Sequence, residues 1–135
     1  MKLRFLAAVA VMSAVVALPA TAHHSFNTFF DVSRTIEIEG VVTSFRLVNP
    51  HAEMLIDVPD AEGNPVTWRI TARTGPAAAR DEGWKPEDFI GKQVKVEGNP
   101  TRREGGTAMS AGVVTFADDG RVVCLGGCPG GPAAE

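Results

Sequence analysis

Between Thr35 and Val48 the chain alternates apolar and polar side chains, and a run of that kind is only stable as a strand with one buried face. Ile36 and Ile38 alternate with Glu37 and Glu39. After Gly40 the apolar parity flips to Val41, Phe45 and Leu47. A glycine at a parity flip predicts a β-bulge that bends the strand and re-aims its faces. Asn49-Pro50 interrupts the ladder, because proline has no N–H to give.

The same period recurs downstream. A second strand sets Ala52, Met54, Ile56 and Val58 on one face and His51, Glu53, Leu55 and Asp57 on the other. The turn-rich string Asp60 to Pro65 separates it from a third strand, in which Val66, Trp68 and Ile70 alternate with Thr67, Arg69 and Thr71. Gly75 to Gly83 changes character: Pro76 suits a first helical turn, Ala77 to Arg80 are good helix formers, and Gly83 can end the helix. Trp84 and Phe89 then frame a short polar stretch and are placed to pin it to a barrel end. Val94 and Val96 point inward in a fourth strand. Gly105-Gly106 turns the chain into a fifth strand, Thr107 to Phe116, and Asp118-Asp119-Gly120 signals a hairpin into Arg121 to Leu125.

Three strands, a short helix and two or three more strands predict a mainly β fold. The expected form is a small OB-like barrel of five to six antiparallel strands with one short helix between strands three and four. A β-sandwich of the same strands is the rival arrangement. OB barrels often bind nucleic acid, but a fold does not carry a function with it.

Lys2 and Arg4 precede an uncharged apolar run from Phe5 to Leu18; Pro19 breaks it, and Ala20-Thr21-Ala22 supplies a small-x-small cleavage pattern. Residues 1–22 therefore read as a signal peptide. A retained anchor is the other reading, but this run is 14 residues and a spanning helix needs about 20. The expected mature protein starts at His23. It is a single barrel domain, 23–125, with a disordered Gly/Pro/Ala-rich tail at 126–135. It lies in the periplasm or is secreted, with no membrane association after cleavage. The leader holds two of the 13 Lys+Arg and none of the 16 Asp+Glu, so the mature net charge is −5. An acidic chain without basic clusters argues against a nucleic-acid partner. Arg102-Arg103, followed directly by Glu104, reads as a solvated turn.

Ala22-His23-His24-Ser25-Phe26, Phe30-Asp31, Gly40-Val41-Val42, Asn49-Pro50-His51, Gly83-Trp84 and the Gly-x-x-Val-x-Val-x-Gly string at Gly91–Gly98 occur together here. In this combination the chain resembles a family of short exported bacterial proteins of unknown function, over about residues 22 to 123. The resemblance implies export and fold, and brings no activity with it. The Cys124/Cys128 tail is not part of it.

The chemistry that remains rests on three histidines and two cysteines. A free amine on His23 and the same residue's Nδ1 can close a chelate ring on one metal ion. Alternatively the amine, the His24 amide nitrogen and the His24 imidazole chelate together. Nitrogen donors suit Cu(II) or Ni(II) best, with Zn(II) next. His51 is a candidate third imidazole, and Glu53 and Asp57 share its strand face as ligands or orienting partners. The competing reading is plain: two terminal histidines as a polar start, and His51 as a strand cap bonded to Asn49 or a backbone carbonyl. Phe26, Phe29 and Phe30 offer a way to dock the N-terminal arm on the barrel. Cys124 and Cys128 are expected to form a disulfide in an oxidising compartment, worth about 2 kcal/mol for so short a loop. Copper thiolate ligation is the second reading of the pair.

An enzyme is not expected. No Ser-His-Asp or Cys-His spacing is present. Glu53 and Asp57, four apart on one strand, are separated by roughly 13 Å, beyond the ~5–9.5 Å of a glycosidase pair. Two functions stand. One is a periplasmic metal binder, with copper at His23, His24 and His51. The other is a metal-free module that binds a small ligand or protein, with Trp68, Arg69, Thr71 or the Trp84 region in contact. Core packing is the competing reading of both tryptophans.

Overall fold

A computed structural model describes residues 26–126 of the chain. The expected signal peptide at 1–22, His23, His24, Cys128 and the rest of 127–135 lie outside the described residues. A single helical turn, α1 (Phe26–Phe29), opens an N-terminal arm. The strands follow as β1 (Ile36–Arg46), β2 (Glu53–Pro59) and β3 (Pro65–Ala72). Helix α2 (Pro76–Asp81) and a 3-10 turn (Pro86–Asp88) lead to β4 (Gln93–Pro100), β5 (Ala108–Phe116) and β6 (Val122–Cys124).

The strand order is β3-β2-β1-β4-β5-β6, and β3 also pairs with β5, closing β1 to β5 into a barrel with β6 as an extra strand. This is the expected OB-like barrel, with α2 between the third and fourth strands. One pairing departs from an all-antiparallel ring. Arg69–Ala72 of β3 runs parallel to Ala108–Ala111 of β5. Parity requires it: five strands in a closed ring cannot alternate direction all the way round, so one seam must be parallel.

The β1 bulge is not at Gly40. The β1–β2 register shifts between Val42 and Ser44. Gly40 keeps step with Ile38 and Val42 on the buried face, and Val41 points outward, 40% exposed. What Gly40 supplies is space. A Cβ there would lie 2.3 Å from the Asp57 carbonyl oxygen and 2.8 Å from Ile56 Cγ2. Gly98 plays the same part on β4, where a Cβ would lie 2.3 Å from the Ser110 carbonyl oxygen, beside a second register shift between Glu97 and Gly98.

Inside the barrel Val42, Met54, Ile56, Ile70, Val96, Met109 and Val114 are fully buried. One end is stoppered by aromatic rings. Phe89 lies 4.4 Å from Phe45, 5.3 Å from Phe116 and 6.4 Å from Trp84, centroid to centroid. Helix α2 and the turn after it bring Trp84 and Phe89 to Phe45 of β1 and Phe116 of β5. Its last turn closes with Gly83 N–H donating to Arg80 O, and Gly83 has the positive φ (79°) that reverses the chain. Trp84 therefore belongs to the core. At the β2–β3 turn the Asp60 carboxylate accepts N–H bonds from Asn64 (2.8 Å) and Glu62 (3.0 Å). These bonds, Asn64's first, hold its pKa below the ordinary 3.8.

Gly40→Ala should destabilise the barrel by about 3 kcal/mol, at the upper end of overpacking costs. Gly112→Ala, whose Cβ would sit 3.6 Å from the Glu97 carbonyl oxygen, should change stability by less than about 1 kcal/mol; thermal denaturation of the pair checks this. A carboxyl with a depressed native pKa contributes stability above its unfolded value and loses it as pH falls through the native one. The parent should therefore melt above Asp60→Asn near neutrality. The gap should close below the unfolded value of 3.8, as a melting series against pH will show.

Candidate functional site

His51 sits just before β2, where the ladder with β3 is extended by Ala72 N–H to Ala52 O (2.9 Å) and Ala52 N–H to Thr74 O (3.3 Å). That pairing sets the imidazole beside Arg73. His51 Nδ1 lies 3.3 Å from the Arg73 carbonyl oxygen. A carbonyl only accepts, so Nδ1 carries the hydrogen and donates it. In the neutral ring this tautomer leaves the lone pair on Nε2.

The arm arrives from the other side. Residues 29–31 run along the end of β4: Asp31 N–H donates to Pro100 O (2.8 Å) and Arg102 N–H to Phe29 O (2.9 Å). Arg102 Nε reaches back to Asn27 O at 2.9 Å. So held, Phe26 sets its ring edge-on to the His51 imidazole, with centroids 4.7 Å apart and planes at 74°. Phe30 stacks on Phe26 at 5.8 Å. The Arg73 guanidinium lies over the Phe26 ring at 5.6 Å and donates to Asn99 Oδ1 at 3.2 Å. Asn99 Nδ2 in turn donates to Arg34 O at 2.7 Å. Arg73 thus fixes His51 with its carbonyl and the arm with its side chain. Phe26, Phe29, Phe30, Pro50, His51 and Thr71 enclose a small apolar cleft of about 190 Å³. Ser110, which pairs with Asn99 on one side and Thr71 on the other, is 1% exposed although it faces outward. The Arg73 side chain, which joins Asn99 to Phe26, crosses this part of the outer surface.

Of the sequence-derived candidates, His51 and Phe26 are brought together. Glu53 and Asp57 are not part of the group. The Glu53 carboxylate is held by Arg46 and by Arg69, and Asp57 accepts from Thr67 Oγ1 at 2.7 Å. Arg46 and Thr67 stand directly opposite Glu53 and Asp57 on the neighbouring strands, and Arg69, which pairs with Leu55, reaches Glu53 diagonally. Arg69 is accounted for by the same ion pair, Thr71 lines the arm cleft, and Trp68 is half-buried at the far end of the barrel. Among the described residues no group of three or more His, Cys, Asp or Glu gathers as a metal site. His23 and His24 lie outside those residues, as does Cys128; Cys124 is half-buried on β6. The part of Arg73 had no sequence signal, since it depends on where β3 ends relative to His51. Among the described residues no helix is long and apolar enough to cross a membrane.

These features define a small OB-like barrel with an N-terminal arm docked on a single histidine. The chain matches the family of unknown function DUF6152 over residues 10–110, and it belongs to that family. A comparison with curated proteins finds no match.

If Phe26 is what docks the arm, Phe26→Ala should remove the ring-current shift on the His51 imidazole protons. Their NMR signals should move toward those of an exposed histidine, with the barrel's methyl signals unchanged.

Proposed function

We propose that the protein is an exported metal-binding protein rather than an enzyme. In this reading its copper site joins a mature N-terminus at His23-His24 to His51 on the barrel. The observation that carries it is the contact between Phe26 and His51. Phe26 is two residues from His24 and three from His23, so covalent geometry limits their Cα atoms to about 7 and 11 Å from its own. Two histidines and the amine that cleavage would expose are thereby tethered close to the third imidazole.

The state of His51 supports the same reading. Metal-bound histidines usually donate the second ring N–H to a carbonyl or carboxylate, which fixes the tautomer and the ring. His51 already makes such a bond to Arg73 O, and its Nε2 is the nitrogen left for a ligand's role. With Glu53 and Asp57 engaged elsewhere, the available donors are nitrogens, a set that favours Cu(II) over harder ions. Either terminal chelate, through His23 Nδ1 or through the His24 amide and imidazole, needs an unblocked amine.

Cu(II) titration of the secreted, processed protein should give about one ion per chain. One alanine added before His23 should weaken binding more than about tenfold, and His51→Ala should weaken it by about 10- to 100-fold. Equal affinities for all three proteins would remove the proposed site.

A further inference from the structure

The end of the barrel opposite the aromatic stopper is open. Ile36 and Phe45 mark the two ends of β1, and at the Ile36 end a cleft of about 490 Å³ lies between the arm, Trp68 of β3 and the β4–β5 loop. That size is in the range of small-molecule sites. Its apolar part is Trp68 with Ile36, both half-buried and packed against the core. Its rim carries Arg34, Arg102 and Arg103.

These arginines stand out in an acidic protein. All but two of the 13 Lys and Arg lie in the described region. Most have side-chain work: Arg46 and Arg69 hold Glu53, Arg73 bonds Asn99 Oδ1, Lys92 holds Asp118, Lys95 holds Glu37, Arg80 bonds Pro76 O, and Arg121 lies over Phe116. Arg102 is shared between Asn27 O and Asp31. Only Arg34, Lys85 and Arg103 make no side-chain hydrogen bond or ion pair among the described residues, and two of these three line this one cleft. Two carboxylates also line it. Asp31 is already occupied, accepting from Ser33 Oγ (2.6 Å) and Ser33 N–H (3.2 Å) and facing Arg102 at 3.8 Å. Glu104 is exposed in the loop.

We infer that this mouth binds a small aromatic carboxylate, its ring against the Trp68 indole and its carboxylate between Arg34 and Arg103. A guanidinium matches a carboxylate with two parallel N–H bonds, and an indole offers a flat apolar face to a ring. The site is separate from His51 and does not depend on a metal there.

The test uses the processed protein without metal, titrated with 2-naphthoate, with the neutral 2-naphthalenemethanol and with inorganic phosphate. Calorimetry measures affinity, and the indole N–H signals of Trp68 and Trp84 report the place. Naphthoate should bind at least tenfold more tightly than either control and shift the Trp68 signal alone. The double substitution Arg34→Gln/Arg103→Gln, at exposed positions, should cut naphthoate affinity at least tenfold while His51→Ala leaves it unchanged. Equal binding of the alcohol would reduce the site to an apolar hollow, and equal binding of phosphate to a charge patch; either overturns the inference. So does a shift confined to Trp84, or an affinity unmoved by the double substitution.

Discussion

Closure of the barrel depends on backbone meeting backbone where no side chain fits. At Gly40 and at Gly98 the neighbouring strand's carbonyl oxygen occupies the place where a Cβ would stand, 2.3 Å away in each case. These approaches let β1 and β4 bend sharply enough for β3 to reach β5. Everything else is arranged around that closed ring. One end is filled by Phe45 of β1 and Phe116 of β5, together with Trp84 and Phe89 from the segment between β3 and β4. The other end is left to the arm and the β4–β5 loop.

The arm has two tasks in this account, and one anchor serves both. Its hydrogen bonds to Pro100 and Arg102 fix residues 29–31 on β4. Upstream of the anchor Phe26 meets His51; downstream Arg34 borders the open mouth. Arg73 and Asn99 tie the two halves, the first reaching Phe26 and the second accepting Arg73 while donating to Arg34 O. The contacts between the halves are exposed and polar, each of modest worth, so each half keeps its own hold on the barrel: Phe26 on His51, and residues 29–31 on β4.

Much of the barrel was legible in local pattern. Alternation places Met54, Ile56, Ile70, Val94 and Val96 inward, and all five are buried. Pro76 and Gly83 bracket the helix as their backbone preferences require. The rest is set by non-local pairing. The apolar parity change after Gly40 suggested a bulge at the glycine, but the chain spends its extra residue at Val42–Ser44, because Gly40 must stay inward to admit the β2 backbone. The parallel seam follows from an odd strand count, a topological fact that no local window contains. Glu53 looked available to His51 because both lie on one face; only the strand pairing, which sets Arg46 opposite it and Arg69 diagonal to it, shows that it is taken. Three phenylalanines suggested a docked arm, and the structure specifies Phe26 as the one that meets the histidine.

The proposed site places copper held by the processed terminus next to His51. Paramagnetic broadening in NMR spectra measures this directly, because Cu(II) erases signals from nuclei close to it. At substoichiometric Cu(II), signals from Phe26, His51 and Thr71 should vanish first, while those from the Asp60–Asn64 turn and the Trp68 indole persist. Broadening confined to the residues before Phe26, with His51 and Thr71 untouched, would contradict the account.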